Sequence, residues 1–97
     1  MGENRTVNVP PIISIDMALH IYYLHSEIGN KEIRALFGRI SGATVSKLKK
    51  AVKSEMCNRN IYSHGMYKVN TTIAYEIWGI DIVDLEKRRK KLKALEL

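Results

Sequence analysis

The chain has 97 residues, of which 45% are hydrophobic and 27% are charged. This composition predicts one folded domain rather than a disordered chain. This length excludes a Rossmann domain, a TIM barrel or a kinase, and no apolar run approaches the roughly 18 residues of a membrane span. Sixteen Lys and Arg residues against ten Asp and Glu residues give a net charge of +6, which favours a polyanionic partner.

Residues 1–13 predict an irregular arm, because two consecutive prolines oppose regular structure. A first helix then begins, with Ser14 or Asp16 as its N-cap. Gly29 suits the left-handed position that ends such a helix. The apolar side chains of this helix recur at spacings of four, three and four, the period of one helix face, and are Met17, Ile21, Leu24 and Ile28.

Two further short helices follow. Asn30 is expected to cap the first, which covers residues 31–37 and ends at Gly38. Its apolar face continues into the turn and contains Ile33, Phe37 and Ile40. Ser41 is a good N-cap for the next helix. The apolar side chains of that helix are spaced by three, four and four residues and are Val45, Leu48, Val52 and Met56. Helices this short are not stable alone, so we expect the three to pack together.

The segment after these helices leaves two structures open. In residues 58–69, β-prone side chains on both sides of Gly65 favour a small β-hairpin, and a loop fits the same sequence equally well. A fourth helix is predicted from near Asn70 to Trp78, before Gly79, with the tryptophan as a core anchor.

Asp81 is the expected N-cap of a fifth helix, which extends through Leu95. Its apolar residues are Ile82, Leu85, Leu92 and Leu95. Six basic residues lie between Glu86 and Lys93, and we interpret them as a charged helix face that strengthens polyanion binding in general. The leucines are a candidate homodimer seam, although they extend over too few heptads to favour a coiled coil.

The stretch from Asn30 to Lys53 is the most informative part of the chain. It combines a short helix, a glycine-containing turn and a second helix that opens with small and hydroxyl residues. The major groove of B-DNA admits a helix, and a leading turn of small or polar residues allows close approach to the base edges. Such residues are present at Gly42, Ala43, Thr44 and Ser46. Five basic residues and no acidic one lie between Arg39 and Lys53, which favours contact with phosphates.

The sequence EIRALFGRISGATVSKLKK resembles the helix-turn-helix of bacterial DNA-binding regulators and of mobile-element recombinases, whose pattern runs roughly I-A-x-L-L-G-V-S-x-x-T-V-S-R. The positions that fall on this pattern are Ile33, Leu36, Phe37, Gly38, Ser41, Thr44, Val45, Ser46 and Lys47. The resemblance implies that residues 43–47 belong to a recognition helix. It also implies that Arg39 and Ser41 lie near the DNA backbone.

The chain departs from this pattern at two places. Arg34 stands where a small residue is usual, with Ala35 one place later. The turn is also one residue longer, since Arg39 and Ile40 both lie between Gly38 and the serine cap. An ungapped alignment is the alternative, and it brings into register Ala35, Ile40, Val45 and Leu48. We prefer the longer turn because it directs two apolar side chains of the preceding helix, Ile33 and Phe37, to the core.

These observations predict a mainly α-helical single domain over residues 1–97, with an arm at 1–13, a helix-turn-helix core at 14–57 and C-terminal helices at 70–97. The predicted function is sequence-selective binding of double-stranded DNA by a small transcriptional regulator, in the cytoplasm and associated with the nucleoid. The residues expected to contact bases are Gly42, Ala43, Thr44, Ser46 and Lys47. Those expected to contact phosphates are Arg39, Ser41, Lys49, Lys50 and Lys53.

Two other roles remain open for the same sequence. One is a protein-interaction adaptor that uses the leucines of the fifth helix, and the other is an accessory DNA-binding factor of a mobile-element recombination system. A hairpin at residues 58–69 would act like the wing of a winged helix and touch the DNA backbone or minor groove through Tyr62, His64 and Lys68. We expect no catalysis, because no cluster of titratable residues with a catalytic pattern is present.

The remaining polar and aromatic residues are expected to be structural. The tyrosines and the tryptophan are dispersed, which favours core packing over a base-stacking platform for single strands. The histidines and the single cysteine, Cys57, have no zinc-ligand spacing, so we predict no metal and no cofactor. Cys57 is expected to be a buried or partly buried thiol of a protein from a reducing compartment.

Overall fold

A computed structural model describes residues 8–96 of the chain. These residues form five helices and two short strands, so the predicted mainly α-helical class is confirmed. The elements in chain order are α1 (Ile15–Leu24), β1 (Glu27–Ile28), α2 (Asn30–Phe37), α3 (Gly42–Asn58), β2 (Val69–Asn70), α4 (Thr71–Ile77) and α5 (Ile82–Leu95). Part of the predicted arm, residues 1–7, lies outside the described residues, and residues 8–13 are neither helix nor strand.

Four of the helices begin at a side-chain cap, and the sequence predicts three of these caps, at Ser14, Ser41 and Asp81. In each, an oxygen of the cap residue accepts a hydrogen bond from the backbone N–H three positions later, at 2.9 to 3.2 Å. The cap residues are Ser14, Ser41, Asn70 and Asp81. Each such cap is worth about 1 kcal/mol, because it satisfies a backbone donor that the helix itself leaves free.

The region between α1 and α2 differs from its prediction. The first helix ends at Leu24 and not at Gly29, and the C-cap His25 has extended backbone with φ −120° and ψ 120°. The reason is that Ile28 belongs to β1, where it is fully buried. Gly29 is instead the N-cap of α2, in place of Asn30, and its N–H donates to the carboxylate of Glu32 at 2.8 Å.

The predicted apolar face of α1 is therefore only partly correct. Met17 is 41% exposed and Leu24 is 63% exposed. The buried positions of this helix are Ala18, Leu19 and Ile21. The predicted face assumed that the helix continues to Ile28, but the helix ends at Leu24. The side of α1 that packs against the rest of the protein is therefore rotated from the predicted side.

Residues 59–68 form a loop, so of the two structures left open for this segment the loop is the one present. The fold does contain a small antiparallel pair, but it joins β1 to β2, with Glu27 opposite Asn70 and Ile28 opposite Val69. This pairing closes the base of the loop and connects the start of α4 to the start of α2.

The helices enclose one apolar core, and α3 and α4 meet through it. The Trp78 ring packs edge-on against Phe37 with centroids 5.5 Å apart, and its Nε1 donates to the carbonyl of Leu48 at 3.2 Å. Tyr75 donates its hydroxyl to the carbonyl of Ala18 at 2.7 Å. Trp78 is the core anchor that the sequence predicts, and Tyr75 is one of the aromatic residues expected to pack in the core.

Other residues predicted to be buried are on the surface. Tyr23, Tyr62 and Tyr67 are 61%, 75% and 73% exposed, and Cys57 is an exposed thiol. Each is exposed where it stands on its helix or loop, which composition cannot indicate. No helix within residues 8–96 combines the length and the apolar character needed to cross a bilayer.

Candidate nucleic-acid interface

The turn between α2 and α3 is held by three features of its sequence. Gly38 ends α2 with φ +83°, a left-handed conformation that other residues adopt only with strain, and its N–H donates to the carbonyl of Arg34 at 2.7 Å. The Arg34 guanidinium in turn donates to the carbonyl of Ile40 at 2.8 Å. Ser41 then caps α3. The arginine that departs from the helix-turn-helix pattern thus braces the turn from outside.

The two sides of α3 have opposite character. One side is buried in the core and consists of the four predicted residues, Val45, Leu48, Val52 and Met56. The first turn of the helix faces solvent, and a Cβ atom added at Gly42 would meet no atom within 4 Å. Among the predicted base-contacting residues, the exposed ones are Gly42, Ala43, Ser46 and Lys47.

Thr44, the remaining predicted base-contacting residue, is joined to Ser41, a predicted phosphate-contacting residue. Thr44 is half-buried, and the Ser41 hydroxyl both accepts from its N–H at 3.1 Å and lies 3.0 Å from its Oγ1. The two hydroxyls therefore form the helix cap, which takes up part of their hydrogen-bonding capacity.

A groove of about 530 Å³ extends along one edge of α3. We call it the basic groove; its lining residues are Asn30, Arg34, Gly42, Val45, Ser46, Lys49, Lys50, Lys53 and Tyr67. Four of these described side chains are cationic and none is a carboxylate. Like charges held together raise the local positive potential, so the basic groove attracts anions.

Lys49 forms the most constrained cation of the basic groove. Its Nζ donates to Oδ1 of Asn30 at 3.0 Å, which joins α3 to the start of α2. Partial burial, and then the neighbouring charge of Lys53, lower the pKa of Lys49 below its ordinary value. A bound anion would relieve both effects, because it restores a favourable partner to the ammonium group.

The structure brings together only part of the predicted site. Two base-contacting candidates, Gly42 and Ser46, and three phosphate-contacting candidates, Lys49, Lys50 and Lys53, line the basic groove. Residues outside that lining are Arg39, Ser41, Ala43, Thr44 and Lys47. All five lie on the turn or on α3, and Arg39 and Lys47 are exposed.

Four residues of the groove were not among the predicted site residues, and one of them, Val45, was predicted as part of the buried side of α3. Asn30 and Arg34 come from α2, and the sequence signal for Arg34 was its departure from the small residue of the pattern. Tyr67 comes from the loop after α3, and only the folded chain brings it to this helix.

A second cavity, of about 260 Å³, adjoins the basic groove and shares Lys53 and Tyr67 with it. Its other lining residues are Met56, Cys57, Ile61, Tyr62, Ser63, Gly65 and Lys68. The surface that begins at the first turn of α3 thus continues onto the loop.

Glu27 pins this loop, residues 59–68, which we call the pinned loop. Its carboxylate accepts the N–H of His64 at 2.6 Å and the N–H of Gly65 at 2.8 Å, and these bonds hold the pKa of Glu27 below its ordinary value. A Cβ atom at Gly65 would lie 2.8 Å from Cδ of Lys68 and 3.2 Å from the carboxylate, so the glycine permits this close approach.

The second basic region of the chain, on α5, has a different environment. This helix packs against α1, with Arg89 paired to Asp16 at 2.8 Å and Arg88 paired to Asp84 at 2.9 Å. Glu86 accepts the hydroxyl of Tyr23 on the same surface. Positive and negative groups therefore alternate there.

Residues 8–96 bring together no group of three or more His, Cys, Asp and Glu side chains that could hold a metal ion. No protein-family model, curated protein or solved structure matches this chain.

Proposed function

We propose that the protein binds double-stranded DNA sequence-selectively, with the first turns of α3 in the major groove, and that it acts as a small transcriptional regulator. The observation that carries this proposal is the combination, on one helix edge, of an exposed small-residue tip and a groove with four cations and no carboxylate. Its predicted place of action is the cytoplasm, on the nucleoid.

The tip of α3 has the size that base readout requires. An α-helix with its side chains is about 10–12 Å across, and the major groove is about 12 Å wide, so only small side chains allow close approach at the point of deepest entry. Gly42, Ala43 and Ser46 are exposed there. Ser46 is the hydrogen-bonding member of this group, and Lys47 extends the reach to a guanine edge.

The cations behind the tip supply affinity without sequence preference. Arg34, Lys50 and Lys53 line the basic groove beside the tip and are exposed, so their charged ends can meet phosphates on the flanking strand. Neutralising four or five phosphates would give a slope of roughly −4 for log affinity against log salt concentration.

The exposed leucines of α5 favour a second candidate function, a protein-interaction adaptor. Leu92 is 50% exposed and Leu95 is 81% exposed, so a partner helix or a second copy of the chain has apolar contacts available there. An accessory role in recombination would use the same DNA-binding surface as a regulator, and would differ from it in the position of the binding site.

The test is fluorescence anisotropy of labelled duplexes over a salt series, with two charge-matched double variants. Lys50→Ala with Lys53→Ala should weaken binding to all duplexes at least tenfold and make the salt slope shallower by about 1.8. Lys90→Ala with Lys91→Ala removes the same charge from α5 and should cost markedly less.

Equal losses in the two double variants would assign binding to the net charge of the protein rather than to α3. Binding that hardly responds to salt and survives both double variants would favour the adaptor function instead.

A further inference from the structure

The pinned loop carries more exposed apolar surface than a loop of ten residues needs. Tyr62, Met66 and Tyr67 are 75%, 79% and 73% exposed, whereas Ile61 beside them packs against the core. Single exposed apolar residues are ordinary, but three within six positions form a patch that a partner is expected to cover.

Two of these side chains stand at the tip of a turn. The N–H of Lys68 donates to the carbonyl of Gly65 at 3.2 Å, so Met66 and Tyr67 are the central residues of that turn. Tyr67 has φ +65°, in the position where a type II turn places glycine or asparagine. A bulky aromatic residue in this conformation is strained, and such strain occurs preferentially at binding sites.

The base of the turn is fixed on both sides. Glu27 holds the N–H groups of His64 and Gly65, and Ser63 donates its hydroxyl to the carbonyl of Lys68 at 2.6 Å. The β1–β2 pair lies directly below. The tip is therefore presented to solvent by a preorganised support, which reduces the entropy that a partner must remove on binding.

The charge around the tip identifies the class of partner. Tyr67 lines the basic groove together with Lys49, Lys50 and Lys53, and Lys68 follows it in the chain. An apolar protein surface gains nothing from this density of cations, whereas a nucleic acid offers phosphates for the lysines and base faces for the apolar side chains.

The length of α3 bears on where the loop would lie on a duplex. Lys53 lies about 16 Å along the helix axis from Gly42, which exceeds the about 12 Å width of the major groove. With the first turn of α3 in the major groove and the helix axis inclined across it, Lys53 would lie over the flanking phosphates and the pinned loop would face the adjacent minor groove.

We infer that Met66 and Tyr67 form a wedge that enters the minor groove, opens a base step and bends the bound duplex. This inference rests on the proposed function. Apolar side chains that enter base steps kink DNA by about 20–90°, toward the major groove. Pyrimidine–purine steps such as TA open most easily, so the wedge selects them without hydrogen bonds to bases.

The experiment measures binding and bending separately on a 30-base-pair duplex that carries a dye at each end. Anisotropy reports binding, and energy transfer between the two dyes reports bending. One duplex has a central TA step and a second has a stiff A-tract in its place. The variants are Met66→Ala, Tyr67→Ala and, as an exposed tyrosine outside the pinned loop, Tyr23→Ala, each checked for its fold by circular dichroism.

The parent protein should raise energy transfer on the TA duplex at saturation and bind it at least threefold tighter than the A-tract duplex. Met66→Ala and Tyr67→Ala should each remove most of the bend and reduce this preference, while Tyr23→Ala keeps both. Lys50→Ala should weaken binding but leave the saturated complex bent.

Saturated complexes with straight DNA, or an unchanged bend in both tip variants, would overturn the wedge and leave the proposed function intact. Tighter binding to the single strand of the same sequence would overturn the wedge in favour of base stacking on an unpaired strand. Absence of binding to both duplexes would overturn the proposed function and the wedge together.

Discussion

The chain has two basic regions, on α3 and on α5, and the comparison between them teaches more than either alone. Six basic residues between Glu86 and Lys93 make α5 the denser region in sequence. Its arginines are nevertheless paired with Asp16 and Asp84, so acidic groups partly cancel its charge. The described residues that line the groove on α3 include no carboxylate. The neighbours of a cation, rather than the number of cations, distinguish a binding surface from a solvated helix face.

The largest expected effect compares a leucine of α3 with a leucine of α5. Leu48 is fully buried and Leu92 is 50% exposed. We expect Leu48→Ala to lower the free energy of unfolding by about 2–5 kcal/mol, because it leaves a cavity beneath α3. Leu92→Ala should change it by less than about 0.5 kcal/mol. Urea denaturation followed by circular dichroism measures both, and comparable losses would mean that α5 is packed more tightly than described.

A second prediction separates stability from binding at the tip of α3. Gly42→Glu adds a carboxylate to the first turn of a helix, where it interacts favourably with the helix dipole by about 0.3–1 kcal/mol, and the site has open space for a side chain. The same change should weaken duplex binding at least tenfold, about 1.4 kcal/mol, because the carboxylate faces DNA.

Thr72→Glu is the matched control for this change, since Thr72 is exposed in the first turn of α4. Thr72→Glu should be as stable as Gly42→Glu and should bind duplex DNA with nearly the affinity of the parent protein. The role assigned to the α3 tip is wrong if Gly42→Glu binds as tightly as Thr72→Glu in the same anisotropy assay.

A third prediction concerns the carboxylate that pins the loop. Glu27 accepts two backbone N–H groups, whereas Asp16 forms a surface ion pair with Arg89. Glu27→Gln should cost about 1–2 kcal/mol, because a neutral amide oxygen accepts these bonds more weakly. Asp16→Asn should cost less than about 0.5 kcal/mol. Thermal unfolding at pH 7 distinguishes them, and equal costs would show that the loop is not pinned by its hydrogen bonds to Glu27.

The pH dependence of the same carboxylate has a definite sign. The pKa of Glu27 is lowered from 4.5 by its backbone hydrogen bonds, so its contribution is fully present above pH 4.5. That contribution disappears as the pH falls through the lowered pKa of the folded state. The parent protein should therefore lose more stability than Glu27→Gln between pH 5 and pH 3 in denaturation series, and parallel curves would contradict this account.

The smallest expected effect concerns backbone strain at the loop tip. Tyr67 and Asn60 both have positive φ, at 65° and 57°, but asparagine tolerates this conformation and tyrosine does not. Tyr67→Gly should raise the free energy of unfolding by up to about 1 kcal/mol, since the exposed ring contributes little packing. Asn60→Gly should have no comparable benefit. Denaturation midpoints test the pair, and a destabilised Tyr67→Gly would mean that the ring packs more than its exposure indicates.

Short-range chemistry explains which parts of the fold could be predicted. A serine or an aspartate before an apolar period of three and four residues located the caps of α3 and α5, because the capping bonds join positions only three apart. The same local period correctly assigned the buried side of α3.

Long-range pairing explains what could not be predicted. The end of α1 depends on Ile28 pairing with Val69, far away in the chain, and the sequence around Ile28 continues a helical spacing. The place of Tyr67 in the groove depends on Glu27, which lies 37 positions before the loop residue that it holds. Of the site, the tip and three lysines of α3 were predictable, whereas the contributions of α2 and the loop were not.

The central claim is that the edge of α3, and not α5, meets DNA. Its most direct test is a titration of 15N-labelled protein with a short duplex, with amide chemical shifts followed residue by residue. We expect the largest shifts within residues 42–53 and 62–68 and small shifts within residues 86–95. Shifts concentrated on residues 86–95, with α3 unaffected, would contradict the account.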